Sequence, residues 1–361
     1  MGEVLSIRKK VIKIITYLLL AVIINKSSPT LAALPPTRTV KDMAGRTVRI
    51  PTRVQKIAAI ESGALRLAVY LGATEMVVGV EEIEKTSLTR PYILAHPQLA
   101  KLPSLGPFHG GDAELITASQ PDVIFWTYTT KGKADALQQK TGIPVIALDY
   151  GDLDLHKDRL YQSLKLMGEI IHREQRATAI IDYLEKSIMD LQKRTQNNRF
   201  KKPVYIGGVS FKGAHGITST EPRYPPFRFI NAPNIASEIA LEHAFIDKEQ
   251  LIAWDPAVIF IDAGGAGLVT NDLKPGSVLA QNLRAVKTGQ VYQVFPYNNY
   301  TTNYETVLVN TYYIGKLLYP EEFSDINPEA KAEEIYRFFL GQSVLEKMQK
   351  LYGGFQKVVI E

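Results

Sequence analysis

The chain has 361 residues, enough for two domains of ordinary size, and its 45% hydrophobic and 22% charged content is that of a globular protein. It contains no cysteine, which excludes disulfides, thiolate metal centres, a cysteine nucleophile and a lipid-modified cysteine. Of the formal charge of +5, Arg8, Lys9, Lys10, Lys13 and Lys26 against Glu3 supply +4; the remainder is near neutral and gives no case for binding nucleic acid.

Most of those bases lie at or just ahead of VIKIITYLLLAVII (Val11–Ile24), which is followed by the small-residue site Leu31-Ala32-Ala33. A basic start, a short apolar run and such a site predict a cleaved secretory signal peptide over residues 1–33. The alternative is a membrane anchor. A span needs roughly 20 apolar residues, and Lys13 interrupts this shorter run. The mature protein is expected in the periplasm without a lipid anchor.

Behind the leader, TRTVKDMAGRTVRIP predicts a hairpin around Ala44-Gly45. VQKIAAI, MVVGVE, PDVIFWT and PVIALD read as strands, with ESGALRLAVYLG and KADALQQKTG as helices between them. Strands alternating with helices of about ten residues predict an α/β lobe with a doubly wound, mostly parallel sheet over residues 34–157. Residues 158–199 have apolar positions at helical spacing, no proline and one glycine, Gly168; they predict a helical connector. Residues 200–361 resume the alternation: KPVYIGGVS, PAVIFID and GQVYQVF as strands, NIASEIALE as a helix, then helices over TNYETVLVNTYYIGKLLYP and 328–350. The expected fold class is α/β, with two lobes joined by a long connecting helix and a ligand cleft between them.

One stretch occurs twice. DAELITASQPDVIF (Asp112–Phe125) and DKEQLIAWDPAVIF (Asp247–Phe260) share Asp, Glu, Ala, Pro, Val, Ile and Phe at the same offsets without a gap. A short helix feeding a buried strand through a proline turn explains the apolar tail. It does not explain the shared Asp-x-Glu head. A helix-end acid is favoured by the macrodipole by only about 0.3–1 kcal/mol.

The order of these features (signal, the Asp42-x-x-Gly45-Arg46 hairpin, helix–Pro-Asp-Val-Ile strand, connecting helix, second lobe) resembles the substrate-binding proteins of ABC importers for ferric siderophores and cobalamin. The resemblance runs from about Thr37 to Tyr352. It implies ligand held between two lobes joined by a rigid helix, with small hinge motion. It also implies an exposed acid on each lobe that docks onto arginines of a permease dimer, here Glu114 and Glu249.

In doubly wound folds, ligand contacts come from loops at the carboxyl ends of strands. In the first lobe these loops carry Glu61 and Ser62, Glu81 and Glu82, Phe108 and His109, and Trp126, Tyr128 and Lys131. In the second they carry Phe211, Lys212 and His215, then Arg223 and Tyr224, then Tyr297, Tyr300 and Asn303. Aromatics beside Lys and Arg suit a bulky anionic metal chelate. Several have a plainer role open to them: Tyr297 and Tyr300 could pack under their loop, and Trp126 could be core.

The expected function is capture of a metal chelate, a ferric siderophore first. Cobalamin, another corrinoid or haem is the alternative of the same kind. Direct metal-ion binding through His109 and His215 ranks behind these, because the other histidines show no ligand spacing. No resident cofactor or metal is expected, and no catalytic residue: the chain has no Gly-x-Ser-x-Gly elbow, His-Glu-x-x-His or Walker loop. The expected partners are the chelate and a permease, with membrane contact only through the latter.

Overall fold

The computed structural model describes residues 36–197 and 202–360, besides Gly2 and Glu3. The candidate signal peptide otherwise lies outside the described residues. Thr37–Glu361 forms one compact unit.

The hairpin is formed by β1 (Thr37–Lys41) and β2 (Thr47–Pro51), antiparallel, around the left-handed Gly45 (φ 78°). Asp42 and Arg46 explain its motif. The Asp42 carboxylate accepts from the backbone N–H of Ala44 and Arg46 and from the Arg46 guanidinium. Arg46 also donates to Asp135, Gln138 and the Val145 carbonyl, which fastens the hairpin to the first lobe.

The first lobe's sheet is parallel, ordered β3 (Ile57–Ile60), β4 (Val123–Thr127), β5 (Val145–Leu148). Their sequences IAAI, VIFWT and VIAL are almost wholly buried, as strands covered on both faces must be. The predicted strand MVVGVE is reduced to two bridges, Val77 to Ile57 and Val80 to Ser104. The second lobe repeats the plan with β6 (Val204–Gly207), β9 (Val258–Asp262) and β10 (Val291–Val294) parallel. A two-residue strand, β11 (Gln356–Lys357), closes the edge antiparallel, and β7 (Ser219–Thr220) pairs with β8 (Ala244–Phe245) apart from it. The repeated sequence thus supplies β4 and β9, which have a parallel neighbour on both sides in their lobes.

The connector is two helices, Lys157–Ile170 and Glu174–Thr195, joined by a turn in which His172 is left-handed (φ 57°). They approach closely at Gly168, where a Cβ would meet Ala177 and the Arg173 backbone at 3.0–3.2 Å. The longer helix has 22 residues, about 33 Å at 1.5 Å per residue. Arg176 near its start donates to the Tyr70 carbonyl, and Thr195 at its end accepts from Asn231 of the second lobe.

A second crossing was not anticipated. Helix Tyr304–Leu318 follows β10, is buried over nearly all its length, and reaches the first lobe at Tyr150 and Tyr70. Helix Pro328–Leu340 then packs on helix Ala64–Tyr70, and Gln342 and Lys347 donate to the Ala95 and Leu94 carbonyls. The largest core cluster therefore contains residues of both lobes.

Two predicted helices differ. The chain at 328–350 breaks at left-handed Gly341 into Pro328–Leu340 and Leu345–Tyr352. NIASEIALE forms turns, because Asn234 binds its own neighbourhood: it accepts from the Ala236 N–H and donates to the Glu221 and Pro222 carbonyls.

Candidate functional site

The carboxyl ends of the parallel strands of both lobes converge on a cavity of about 420 Å³. Ser62 follows β3, Ser210 and Lys212 follow β6, Gly264 follows β9, and Asn298, Asn299, Tyr300 and Thr301 follow β10. His109 completes the first lobe's side. A second cavity of about 290 Å³ lies beside the tip of β5, between Asp149–His156 and Glu221, Arg223 and Tyr297.

The turn at 298–303 is held by the opposite lobe. Arg66, fully buried in helix Ala64–Tyr70, donates to the carbonyls of Asn299, Tyr300 and Thr302, to Asn303 Oδ1 and to the Tyr150 hydroxyl, at 2.6–3.1 Å. Its guanidinium also lies 4.8 Å from the Tyr92 ring centre. Asn299 donates to Thr89, Tyr300 donates to Glu81 Oε2, and Tyr128 and Thr301 share a hydrogen bond. Tyr300 and Thr301 are both left-handed (φ 54° and 63°), a cost of about 1–3 kcal/mol each that such anchoring sustains.

Three titratable groups of the first lobe, Glu61, Glu81 and His109, gather at the rim with Tyr300 of the second. His109 Nδ1 is paired with Glu61 Oε1. Glu81, 2% exposed, accepts from the Glu61 and Gly110 N–H groups and from Tyr300. Burial pushes the Glu81 carboxyl up to about 7 against those hydrogen bonds. In the second lobe, burial raises Glu221 and Asp262 to about 7 as well. Glu221 accepts from Tyr297; Asp262 Oδ1 accepts from Gly264 N–H, and its Oδ2 is buried without a partner among the described residues.

A pH dependence follows. In the unfolded chain these carboxyls release their protons near 4.5 and 3.8; in the folded chain they hold them to about 7. Their stabilising contribution is full below about pH 4 and is lost as pH rises through 7. Asp262→Asn keeps the Gly264 bond but cannot ionise. Between pH 5 and 7 the variant should gain on wild type by on the order of 1 kcal/mol per pH unit. Urea unfolding at pH 5, 6, 7 and 8 checks this; parallel curves would refute it.

The predicted ligand residues divide into groups. His109, Lys212 and Tyr300 line the larger cavity, and Arg223 and Tyr297 the smaller. Arg223 there faces Asp154 of the first lobe at 2.9 Å. Phe108, Tyr128 and Phe211 are exposed beside the larger cavity, and Trp126 lies half-buried under Gly110. His215 bonds the Phe211 carbonyl and Lys131 is exposed at the head of its helix; neither lines either of these two cavities. Tyr224 and Asn303 are corrections. Both are fully buried, Tyr224 against Phe227 and Tyr297, Asn303 as the Arg66 acceptor, so they support the loops from behind. Glu82 is exposed, away from both cavities.

Sequence reasoning missed Arg66, Tyr150 and Ser210. Arg66 had a signal: a lone cation inside the apolar run ALRLAVYLG.

The heads of the repeated stretch are now separable. Asp112 caps helix Ala113–Ala118, accepting from Glu114 and Leu115 N–H, and Asp247 caps helix Lys248–Trp254, accepting from Gln250 N–H. Glu114 and Glu249 are exposed, and neither carboxylate has a partner among the described residues. Among those residues no three His, Cys, Asp or Glu side chains are placed to hold a metal ion, and no helix is long and apolar enough to cross a membrane.

Two α/β lobes bridged by helices, with a donor-lined cavity at the facing strand ends, define a bilobal solute-binding protein. Residues 57–297 match the model of the Periplasmic binding protein family, and the chain belongs to that family. It is 24% identical over 323 residues to the molybdate-binding protein MolA of Haemophilus influenzae, covering 84% of this chain and 90% of that protein. The structure of MolA bound to molybdate superposes with a TM-score of 0.68 at 21% identity, covering 85% of this chain and 98% of that one. A periplasmic solute-binding protein of Veillonella parvula gives 0.70 at 18% (88% and 97% covered). The petrobactin-binding protein YclQ of Bacillus subtilis gives 0.56 at 16% (80% and 98%). The chain is thus a solute-binding protein of the periplasmic binding protein family and not an enzyme.

Proposed function

We propose that the protein captures a metal chelate, a ferric siderophore first, in the larger cavity and presents it to a permease through Glu114 and Glu249. The observation that carries this is the rim. Phe108, Tyr128 and Phe211 stand 41–54% exposed on loops of both lobes around a cavity lined by hydroxyl, amide and basic groups. Exposed aromatic rings suit an organic shell, whereas a bare ion needs only the donors. The cavity volume lies within the roughly 300–1,000 Å³ of small-molecule sites. The likeness to a petrobactin-binding protein is in keeping with it.

A second reading is molybdate or a similar oxyanion. The match to a molybdate-binding protein favours it, as do the donors of Ser62, Ser210, Asn298 and Asn299.

Trp126, beneath Gly110 at the rim, provides the probe. Tryptophan fluorescence of the mature protein should change on titration with ferric siderophores at micromolar concentration or below. Cobalamin, haem, molybdate and free ferric and nickel ions are the comparisons. Saturation by molybdate alone would replace the chelate reading with the oxyanion one.

A further inference from the structure

A third cavity, of about 420 Å³, lies away from the two at the strand ends and shares no lining residue with them. Helix Ala64–Tyr70 starts beside Ser62, which lines the larger cavity, and runs back about 10 Å to left-handed Gly72 (φ 66°). Helix Pro328–Leu340 packs on it and stops at left-handed Gly341 (φ 78°). These two helix ends and Arg176, near the start of the longer connector helix, enclose the third cavity.

Its charge is one-sided. Arg176, Arg337 and His96 line it, and no acidic residue does. His96 is engaged inward, with Nε2 on the Leu340 carbonyl at 2.8 Å, and Arg337 is drawn outward by Glu333 at 3.2 Å. Arg176 differs. Its Nε donates to the Tyr70 carbonyl at 2.8 Å and its Nη2 to the Phe338 carbonyl, which answers the negative poles of both helices. Its Nη1 has no hydrogen-bond partner and its guanidinium no carboxylate among the described residues. Burial alone acts on its pKa, pulling it down. Aromatic rings complete the walls. Phe338 lies 4.5 Å from the Arg176 guanidinium carbon and is fixed by stacking on Tyr183 at 4.1 Å and 16°, while Phe339 meets Tyr70 edge-on at 5.1 Å.

We propose that this cavity is a second binding site, for a small monocarboxylate with an aryl or alkyl body. The carboxylate takes the free edge of Arg176, and the body lies along the rings. A hydrated inorganic anion would leave those rings unused, and a neutral analogue would leave the guanidinium without its counter-charge. A bound carboxylate would tie the connector to both helix ends. Nothing in this depends on what the larger cavity holds.

The mature protein is titrated calorimetrically at pH 7 with benzoate and with octanoate. Benzamide, benzylamine and inorganic phosphate are the comparisons. At least one carboxylate should bind with a Kd of about 1 mM or tighter, and each comparison at least about tenfold more weakly. Amide shifts in two-dimensional NMR should centre on Gly72 and Gly341; shifts at Asn298–Thr301 instead would place the carboxylate in the larger cavity and overturn the proposal. Arg176→Met should weaken binding about tenfold or more. That variant also unfastens two helix ends, so Thr74→Trp supplies a second arm. Thr74 is a half-buried lining residue, and the larger side chain fills the cavity with Arg176 in place. Binding should then be lost with the Tm within a few degrees of wild type. No heat from either carboxylate up to about 10 mM, equal binding of benzamide, or binding that survives Thr74→Trp refutes the site.

Discussion

Replacing Arg66 by Met should cost the folded protein about 3–5 kcal/mol, the range for removing one partner of a buried charge pair. Three carbonyls, Asn303 Oδ1 and the Tyr150 hydroxyl lose their donor together. Glu305, fully buried with one oxygen on Tyr70 and the other without a partner among the described residues, loses the positive charge that offsets its burial. Lys should rescue little, because one ammonium cannot reach the acceptors that a planar fork spans. Urea unfolding of the three proteins measures this, and a loss below about 1 kcal/mol would show that the turn holds itself. The Met variant should also bind ligand more weakly, since Asn298–Thr301 line the cavity.

The second large effect is expected in transport, not in binding. The double variant Glu114→Ala, Glu249→Ala should keep its ligand affinity and lose nearly all uptake by the reconstituted importer. Each acid desolvated against a permease arginine is worth about 2–5 kcal/mol when removed, much of it from the charge left behind. Glu→Arg at either position should be worse than Glu→Ala. Normal uptake by the double variant would reduce both acids to helix-end charges; lost ligand affinity would place them functionally in the cleft. Asp112 and Asp247 make poor substitutes in such a test, because they cap their helices and their loss perturbs the fold.

The lobes were legible because buried parallel strands leave a continuous apolar signature, and the repeated VIF marked an interior strand of each sheet. The shared Asp caps its helix in both copies, where the sequence offered only a helix-end acid favoured by the macrodipole. What failed was local competition. Nothing in the spacing of NIASEIALE says that the Asn234 amide will bind two carbonyls upstream and keep the segment from winding. The loops were harder for a related reason: a residue that touches ligand and one that braces the loop have the same chemistry. Tyr300 and Asn303 sit three residues apart in one polar, aromatic run, yet one lines the cavity and the other is sealed beneath Arg66. Only the depth of the loop separates them, and depth is a property of the second crossing, which brings helix Tyr304–Leu318 under both lobes.

That crossing also decides what any opening of the cavity must strain. The turn at 298–303 runs on from β10 of the second lobe and is bonded to the first by Arg66, so a shift of one lobe against the other would load it from both ends. Beside it, Asn298 Nδ2 donates to the Ser210 carbonyl at 3.2 Å, and across the smaller cavity Arg223 and Arg228 pair with Asp154 of the first lobe at 2.9 Å. A partner prising the lobes apart would have to break the Asp154 pairs and bend this turn, not merely unfasten one loop.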